Sequence, residues 1–351
     1  KLAYYINKYK LSGNRGGKLD FETQSKGLIY LHRVNLFKRL ESSVYSFSET
    51  LKRLIENIDR TIDNLHRGQQ IEEELDVENE DEIYIERSKY EIKVEDLRIN
   101  AYLEELYNDR EIVKKIYDET LILLKEDRDN KIHELEKIVE NKVENTPYNE
   151  GNRKILIFTA FADTANYIYS ELLKKFDGKD ISIASVTGKG VKTSNKKVRE
   201  DFHSILSAFS PKSKMKIEIP QDEQIDIIVG TDCISEGQNL QDCDTVINFD
   251  IQWNPVSLIQ RFGRVDRIGS RNDKIQMINF FPNADLNEYL DLERRVKGKM
   301  TTLNIASTGD EDMLNPEMND FNFRKRQLEK LKDEVIDIED TNENISLTDL
   351  N

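Results

Sequence analysis

The sequence contains little cysteine, proline, tryptophan or histidine: two, six, one and four residues among 351. The two cysteines, Cys233 and Cys243, are too few for a disulfide framework and lack metal-ligand spacing. The four histidines are scattered, and no cysteine or carboxylate lies near them at ligand spacing. We therefore expect no metal site and a reducing, cytoplasmic environment.

Long apolar runs and a signal-peptide pattern are also missing, so we expect a soluble chain with no membrane partner. The length of 351 residues is sufficient for two domains. The sequence begins at Lys1 without an initiator methionine, from which we expect a fragment of a longer protein.

The phosphate-binding pattern G-x-x-x-x-G-K-[ST] does not occur in the sequence. The nearest approximation, SGNRGGKL, has Ser12 in place of the first glycine and Leu19 in place of the metal-binding hydroxyl. Without that hydroxyl, we do not expect this chain to hold Mg²⁺ and a triphosphate in the usual P-loop manner.

Charge is distributed unevenly along a chain whose formal net charge is −15. Gln69 to Asn100 contains 12 acidic and 4 basic residues, whereas Val186 to Lys216 contains 8 basic and 2 acidic residues. An acidic body argues against coating nucleic acid by bulk electrostatics, but a local basic patch is able to bind a phosphate backbone. The candidate nucleic-acid contacts in this patch are Lys189, Lys192, Lys196 and Lys197.

The period of the apolar residues predicts helices over the first 147 residues. One stripe runs from Val44 to Leu65 and a second from about Ile99 to Val143, with the acidic segment between them. Helices joined in this way are expected to pair antiparallel. The turn-rich NTPYNEGN, Asn145 to Asn152, marks a predicted boundary between residues 1–147 and 148–283.

After this boundary the pattern predicts an α/β fold. Short apolar runs alternate with helical segments at Thr164 to Phe176 and Ser194 to Phe209, which is typical of a parallel sheet with crossover helices. A third region, residues 284–351, is predicted to be helical and to end in an acidic tail. The predicted strands are KILIFTAF (154–161), ISIASV (181–186), IDIIVG (225–230), TVINFD (245–250) and KIQMINFF (274–281).

The segment QRFGRVDRIGS is predicted to lie on a helix that starts at Pro255 and carries Gln260, Arg261, Arg264 and Arg267. Arginines three residues apart project from one helix face. Guanidinium groups offer forked donors to a polyphosphate, so this spacing points to nucleotide hydrolysis.

Four motifs together resemble the second RecA-like lobe of superfamily-two helicases, particularly the Swi/Snf-like branch and bacterial ATPases that recycle RNA polymerase. The resemblance covers about Lys154 to Pro282, and KRLESSVYSF (38–47) resembles the stretch that joins the two lobes. The ending RIGS and Gly263 depart from the pattern of many relatives without removing the arginines. The four motifs are ILIFTAFADTANYIYSELL (155–173), VGTDCISEGQNLQ (229–241), DIQWNP (250–255) and QRFGRVDRIGS (260–270).

The resemblance implies that ATP, with Mg²⁺, binds between this lobe and an N-terminal RecA-like lobe. Arg264 and Arg267 would act as arginine fingers that reach the γ-phosphate, and Gln260 would help to order the edge of the lobe that carries them. Asp232, Glu236 and Gly237 would sense the nucleotide. The positions expected to meet the backbone of nucleic acid, DNA in preference to RNA, are Thr159, Thr187 and Thr231.

The sequence therefore predicts the C-terminal half of an ATP-dependent translocase or helicase, inactive as an ATPase by itself. Two other interpretations stay open. The lobe could be a non-enzymatic interaction module, or it could bind nucleic acid without responding to ATP.

Overall fold

A computed structural model describes residues 32–33, 35–67, 98–234, 238–250, 255–266 and 270–281. The acidic segment and the predicted C-terminal region 284–351 lie outside these residues. The chain divides into two compact units, Lys1–Ile138 with Asn166–Lys175, and Val139–Ala165 with Phe176–Asn351. The predicted boundary at residue 147 stays a prediction. None of the described helices combines the length and apolarity needed to cross a bilayer.

The first unit is built around two long helices, α1 (Val44–His66) and α2 (Ile99–Lys125). The Ser43 hydroxyl caps α1 by accepting from the Ser46 amide at 3.0 Å. The helices run antiparallel, because Asp59 pairs with Arg110 at 2.5 Å whereas His66, further along α1, contacts Tyr107 at 3.2 Å. The apolar stripe buries a shared cluster of Ile58, Ile62, Leu65, Tyr102 and Leu106.

The second predicted helical stretch is interrupted. After α2 the chain turns at Asp127, whose φ of 54° is incompatible with a right-handed helix. The Asp129 carboxylate then accepts from the amides of Lys131 and Ile132 at 3.2 and 3.3 Å. This cap starts a separate helix, α3 (Asn130–Asn145).

A six-stranded sheet in the order β3-β2-β4-β1-β5-β6 forms the centre of the second unit, and the α/β prediction is confirmed. All neighbouring strands are parallel except β2 and β3. Buried Leu156, Val186 and Ile228 of the sheet belong to one core cluster with Ile205 and Phe209 of a flanking helix. The strands are β1 (Ile155–Phe158), β2 (Ile183–Thr187), β3 (Gly190–Thr193), β4 (Ile227–Gly230), β5 (Thr245–Asn248) and β6 (Gln276–Asn279). The remaining helices are α4 (Ala162–Lys175), whose residues Asn166–Lys175 belong to the first unit, α5 (Phe202–Phe209) and α6 (Pro255–Phe262).

Strand β3 was not predicted, and α5 begins eight residues later than the predicted start at Ser194. The sequence GVKT of β3 contains one apolar residue, and alternate positions of the strand are exposed. Such a pattern has no buried run to identify it; the strand forms because it pairs with β2 through a short turn. The Asp201 carboxylate caps α5 through the Ser204 amide at 2.9 Å.

A buried polar network at the amino edge of the sheet holds the turn-rich segment in place. The Lys142 ammonium donates to the Asn152 carbonyl at 2.6 Å and to Asp244 Oδ2 at 2.9 Å. The Asn149 amide also donates to Asp244 Oδ2, at 2.7 Å. Because Asp244 precedes β5 directly, the NTPYNEGN segment is fixed to the sheet through buried, charge-assisted contacts.

Candidate nucleotide-facing site

The carboxyl ends of parallel strands β1, β2, β4 and β5 bring polar residues to one edge of the sheet. Each apolar strand is followed or terminated there by a polar side chain: Thr159 after β1, Thr187 at the end of β2, Thr231 and Asp232 after β4, and Asn248 and Asp250 around the end of β5. Ligands of open α/β sheets bind beside this edge. It is therefore the candidate site.

A buried carboxylate, Asp250, organises the chain after β1. Its Oδ2 accepts from the Thr159 hydroxyl at 2.5 Å, and its Oδ1 accepts from the Ala160 amide at 2.7 Å. Thr159 is fully buried and Asp250 is 2% exposed. The Thr159 hydroxyl is thus already hydrogen-bonded within the protein. The predicted contact of this residue with nucleic acid stays a prediction.

Arg261 is fully buried near the end of α6 and contacts strands β1 and β5 and the turn after β4. Its Nε donates to Asp232 Oδ1 at 2.9 Å, and its Nη1 donates to Asn248 Oδ1 at 2.8 Å. Its guanidinium carbon lies 4.8 Å from the centre of the Phe158 ring at the end of β1, a distance typical of a cation–π contact. Nη2 lies 2.9 Å from the same Asp232 oxygen but makes no hydrogen bond in the described parts of the chain.

Arg264 lies in the turn that follows α6 and not on the helix itself, where the sequence predicts it, because α6 ends at Phe262. Its amide donates to the Arg261 carbonyl at 3.2 Å, and its carbonyl accepts from the Leu240 amide at 3.0 Å. Val265, the next residue, is buried in the core cluster of the sheet. The Arg264 side chain is half-buried, and its Nε has no hydrogen-bond partner within the described ranges. The backbone is therefore fixed, while a buried donor remains unused.

Of the other residues that are predicted to contact the nucleotide, the structure describes only some. Gln260 is exposed on α6, one residue before Arg261. Arg267, Glu236 and Gly237 lie outside the described residues, and their predicted roles stay predictions. Cys233 is exposed beside Thr231, because it lies in the short turn after β4 and not within the strand. The Thr231 hydroxyl contacts Cys233 Sγ at 3.4 Å.

The two ends of the predicted basic patch lie at opposite ends of β2. Lys189 lies in the turn after Thr187, at the carboxyl edge, and the Thr187 hydroxyl donates to Gly190 O at 3.1 Å. Strand β3 then runs back, with Lys192 opposite Ser185. Residues 194–197 reach the amino end of β2, where the Ser194 amide donates to the Ile183 carbonyl at 2.9 Å.

Lys196 and Lys197 are exposed at that amino edge, away from the candidate site. The Lys197 ammonium hydrogen-bonds the Asp222 carboxylate. This bond raises the pKa of Lys197 and lowers the pKa of Asp222. The four lysines are thus spread along the outer side of the sheet, from its carboxyl edge to its amino edge. Their binding of nucleic acid stays a prediction.

Sequence reasoning did not assign roles to Arg261, Asn248 or Asp250. Each carries a signal: Asn248 and Asp250 are polar residues next to the apolar Val246, Ile247 and Phe249, and Arg261 lies on the apolar side of an amphipathic helix. Within the described ranges, no group of three or more histidine, cysteine, aspartate or glutamate side chains is arranged to hold a metal ion.

Residues 130–269 match the helicase conserved C-terminal domain. This part of the chain is therefore similar to the C-terminal domain of helicases. The match includes β1 to β5, α6 and the turn with Arg264.

Curated relatives match shorter stretches. The uncharacterized ATP-dependent helicase YqhH of Bacillus subtilis is 36% identical over 67 residues, which are 19% of this chain and 12% of YqhH. The ATP-dependent RNA helicase DBP8 of Lodderomyces elongisporus is 30% identical over 101 residues, 29% of this chain and 22% of that protein. The chain thus spans less than a quarter of either relative.

Similar solved structures include two helicase-type ATPase domains. The C-terminal part of the Fun30 ATPase domain has a TM-score of 0.35 and 16% identity, covering 59% of this chain and 54% of that one. The Hef helicase domain of Pyrococcus furiosus has a TM-score of 0.36 and 18% identity, covering 70% and 38%.

Proposed function

We propose that this chain is the C-terminal half of an ATP-dependent nucleic-acid translocase or helicase of the Swi/Snf-like branch, with duplex DNA as the substrate. ATP and Mg²⁺ are held mainly by an N-terminal RecA-like lobe that carries the phosphate-binding loop. This chain contributes the second wall of the cleft and part of the nucleic-acid groove. The match of residues 130–269 to the helicase conserved C-terminal domain supports this assignment.

The observation that carries the proposal is the unused donor of Arg264. A buried N–H group without a partner is rare, because its desolvation is not compensated. The backbone on both sides of this donor is fixed by hydrogen bonds to Arg261 and Leu240. A guanidinium held in this way fits the negative charge of a triphosphate, which offers forked acceptors.

Bound ATP supplies the γ-phosphoryl group, whose oxygens carry the negative charge of the transition state. An arginine donated from a second lobe stabilises that charge and is worth about 10³- to 10⁵-fold in rate. Because Arg264 belongs to this lobe and the phosphate-binding loop to another, hydrolysis requires the two lobes to close. Each turnover is thereby tied to a movement between them.

The test is steady-state ATP turnover of the native full-length protein, with and without duplex DNA. We expect Arg264→Ala to lower kcat about 10³-fold or more and Arg264→Lys to restore little, because lysine lacks the forked donors. The control is Arg128→Ala, which removes a 62%-exposed arginine from the turn between α2 and α3. A kcat within a few-fold of the native value for Arg264→Ala would refute the assignment.

The same assay addresses the substrate. We expect duplex DNA to raise kcat more than RNA of the same sequence does. Stimulation by RNA alone would contradict the choice of DNA and leave the role of Arg264 intact.

A further inference from the structure

Arg261 is a charged side chain with no exposed surface, and it belongs to the same helix and turn as Arg264. We infer that Arg261 is a positioning residue for the ATPase reaction: it fixes the turn carrying Arg264 to the turn carrying Asp232, so that both move as one element. This inference rests on the proposed function.

Three contacts hold the Arg261 guanidinium from different directions. Asp232 lies in the short turn after β4, and Asn248 is the last residue of β5. The bonds to their side chains, at 2.9 and 2.8 Å, use different edges of the planar guanidinium. The Phe158 ring of β1 covers one face. A planar group held at two edges and one face has little freedom to rotate.

The position of Arg261 is transmitted to Arg264 through the backbone. The Arg261 carbonyl accepts from the Arg264 amide at 3.2 Å, which closes the turn at the end of α6. A displacement of the Arg261 side chain therefore displaces the turn that presents Arg264. A misplacement of about 1 Å is enough to reduce a rate on the order of 10²-fold.

The contacts also connect the nucleotide-facing turn to the segment after β4. Asp232 belongs to the segment for which we predict nucleotide sensing, and its carboxylate is 20% exposed. Because one guanidinium bonds both Asp232 and Asn248, α6 is unable to shift without either moving the Asp232 turn or breaking a buried ion pair. Breaking such a pair is strongly unfavourable.

The test compares Arg261→Lys with Arg264→Ala in the native full-length protein. Lysine keeps the charge but has one nitrogen, which is unable to hold both side chains in the arginine geometry. We expect kcat per folded molecule to fall on the order of 10²-fold, with the KM for ATP within a few-fold. Arg128→Lys is the matched control on an exposed arginine.

Folding is measured on the same samples by urea unfolding, so that loss of folded protein is separated from loss of rate. An unchanged kcat per folded molecule for Arg261→Lys would overturn the inference. If Arg264→Ala abolishes turnover in that case, the proposed function stands. If Arg264→Ala leaves turnover unchanged, the proposed function fails first, and the inference fails with it.

A double-mutant cycle supplies a second measurement should Arg261→Lys fold poorly. Asn248→Ala removes one anchor and leaves Arg261 in place. Coupling through the guanidinium predicts that the kcat losses of Asn248→Ala and Arg261→Lys are less than additive, because both disturb the same contact. Additive losses, or no loss for Asn248→Ala, would contradict the inference.

Discussion

At the scale of single residues, Lys154 shows how burial changes the chemistry of a side chain. Its ammonium donates to the Ile225 carbonyl at 3.1 Å and lies 5.5 Å from the centre of the Phe209 ring. Burial lowers its pKa from 10.5 to about 8, although the nearby carboxylates of Asp226 and Asp242 act in the opposite direction. Burial likewise raises the pKa of Asp226.

This pKa shift predicts a stability that increases with pH. Between about pH 8 and 10.5 the unfolded chain keeps the Lys154 proton while the folded chain has lost it. Because the unfolded state binds more protons, raising the pH through this range favours the folded state, by at most about 1.4 kcal/mol per pH unit. Urea unfolding from about pH 7.5 to about pH 10 measures this change.

Two variants isolate the contribution of Lys154. Lys154→Met has no titrating group, and Lys154→Arg stays charged throughout, so neither should show the rise that the native lysine contributes. The stability advantage of Lys154→Met over the native chain should therefore be largest near neutral pH and decrease as the pH rises. An identical pH dependence for the native chain and Lys154→Met would contradict the assignment.

At the scale of elements, β3 determines where the basic residues lie. The antiparallel return of this strand places Lys189 at the carboxyl edge and Lys197 at the amino edge of the sheet. The basic residues, which are close together in the sequence, are therefore spread along the outer strand from the carboxyl edge of the sheet to its amino edge. A nucleic acid bound across the carboxyl edge would meet one end of this series of basic residues.

This arrangement predicts different effects for two otherwise similar substitutions. For duplex DNA binding, Lys189→Gln should reduce the slope of log K against log salt by about one, because one phosphate contact is lost. Contrary to the prediction from the sequence, we expect Lys197→Gln to leave the slope unchanged, because Lys197 lies at the opposite, amino edge of the sheet. Fluorescence anisotropy over a salt series measures both. Equal effects would argue against binding at the carboxyl edge.

At the scale of the whole molecule, the periodicity of apolar residues was sufficient to predict five strands of the sheet and the long helices. Five strands correspond to short, continuous apolar runs, which are typical of a sheet covered on both faces, and these were predicted. Strand β3 was missed because its stability comes from pairing with β2. The spacing of the arginines identified Arg264 as a candidate, but its unused donor depends on the surrounding packing.

The role of Arg261 was not predictable from the sequence, for a related reason. Its partners Asp232 and Asn248 are 29 and 13 residues away in the chain. Only the parallel order of β4, β1 and β5 brings them to one edge. Spacing within a motif indicates which side chains share a helix face; it does not indicate which of them turns inward to the sheet.

The proposed division of the catalytic groups between two lobes gives a prediction for the chain as a whole. The 351-residue sequence contains arginine candidates but no phosphate-binding loop. We therefore expect the isolated chain to unfold cooperatively in urea and yet to show no ATP turnover above background. The longer native protein should hydrolyse ATP under the same conditions, with Arg264→Ala as the inactive reference. Turnover by the isolated chain that Arg264→Ala abolishes would mean that this chain binds and hydrolyses ATP with its own residues, and the two-lobe proposal would fail.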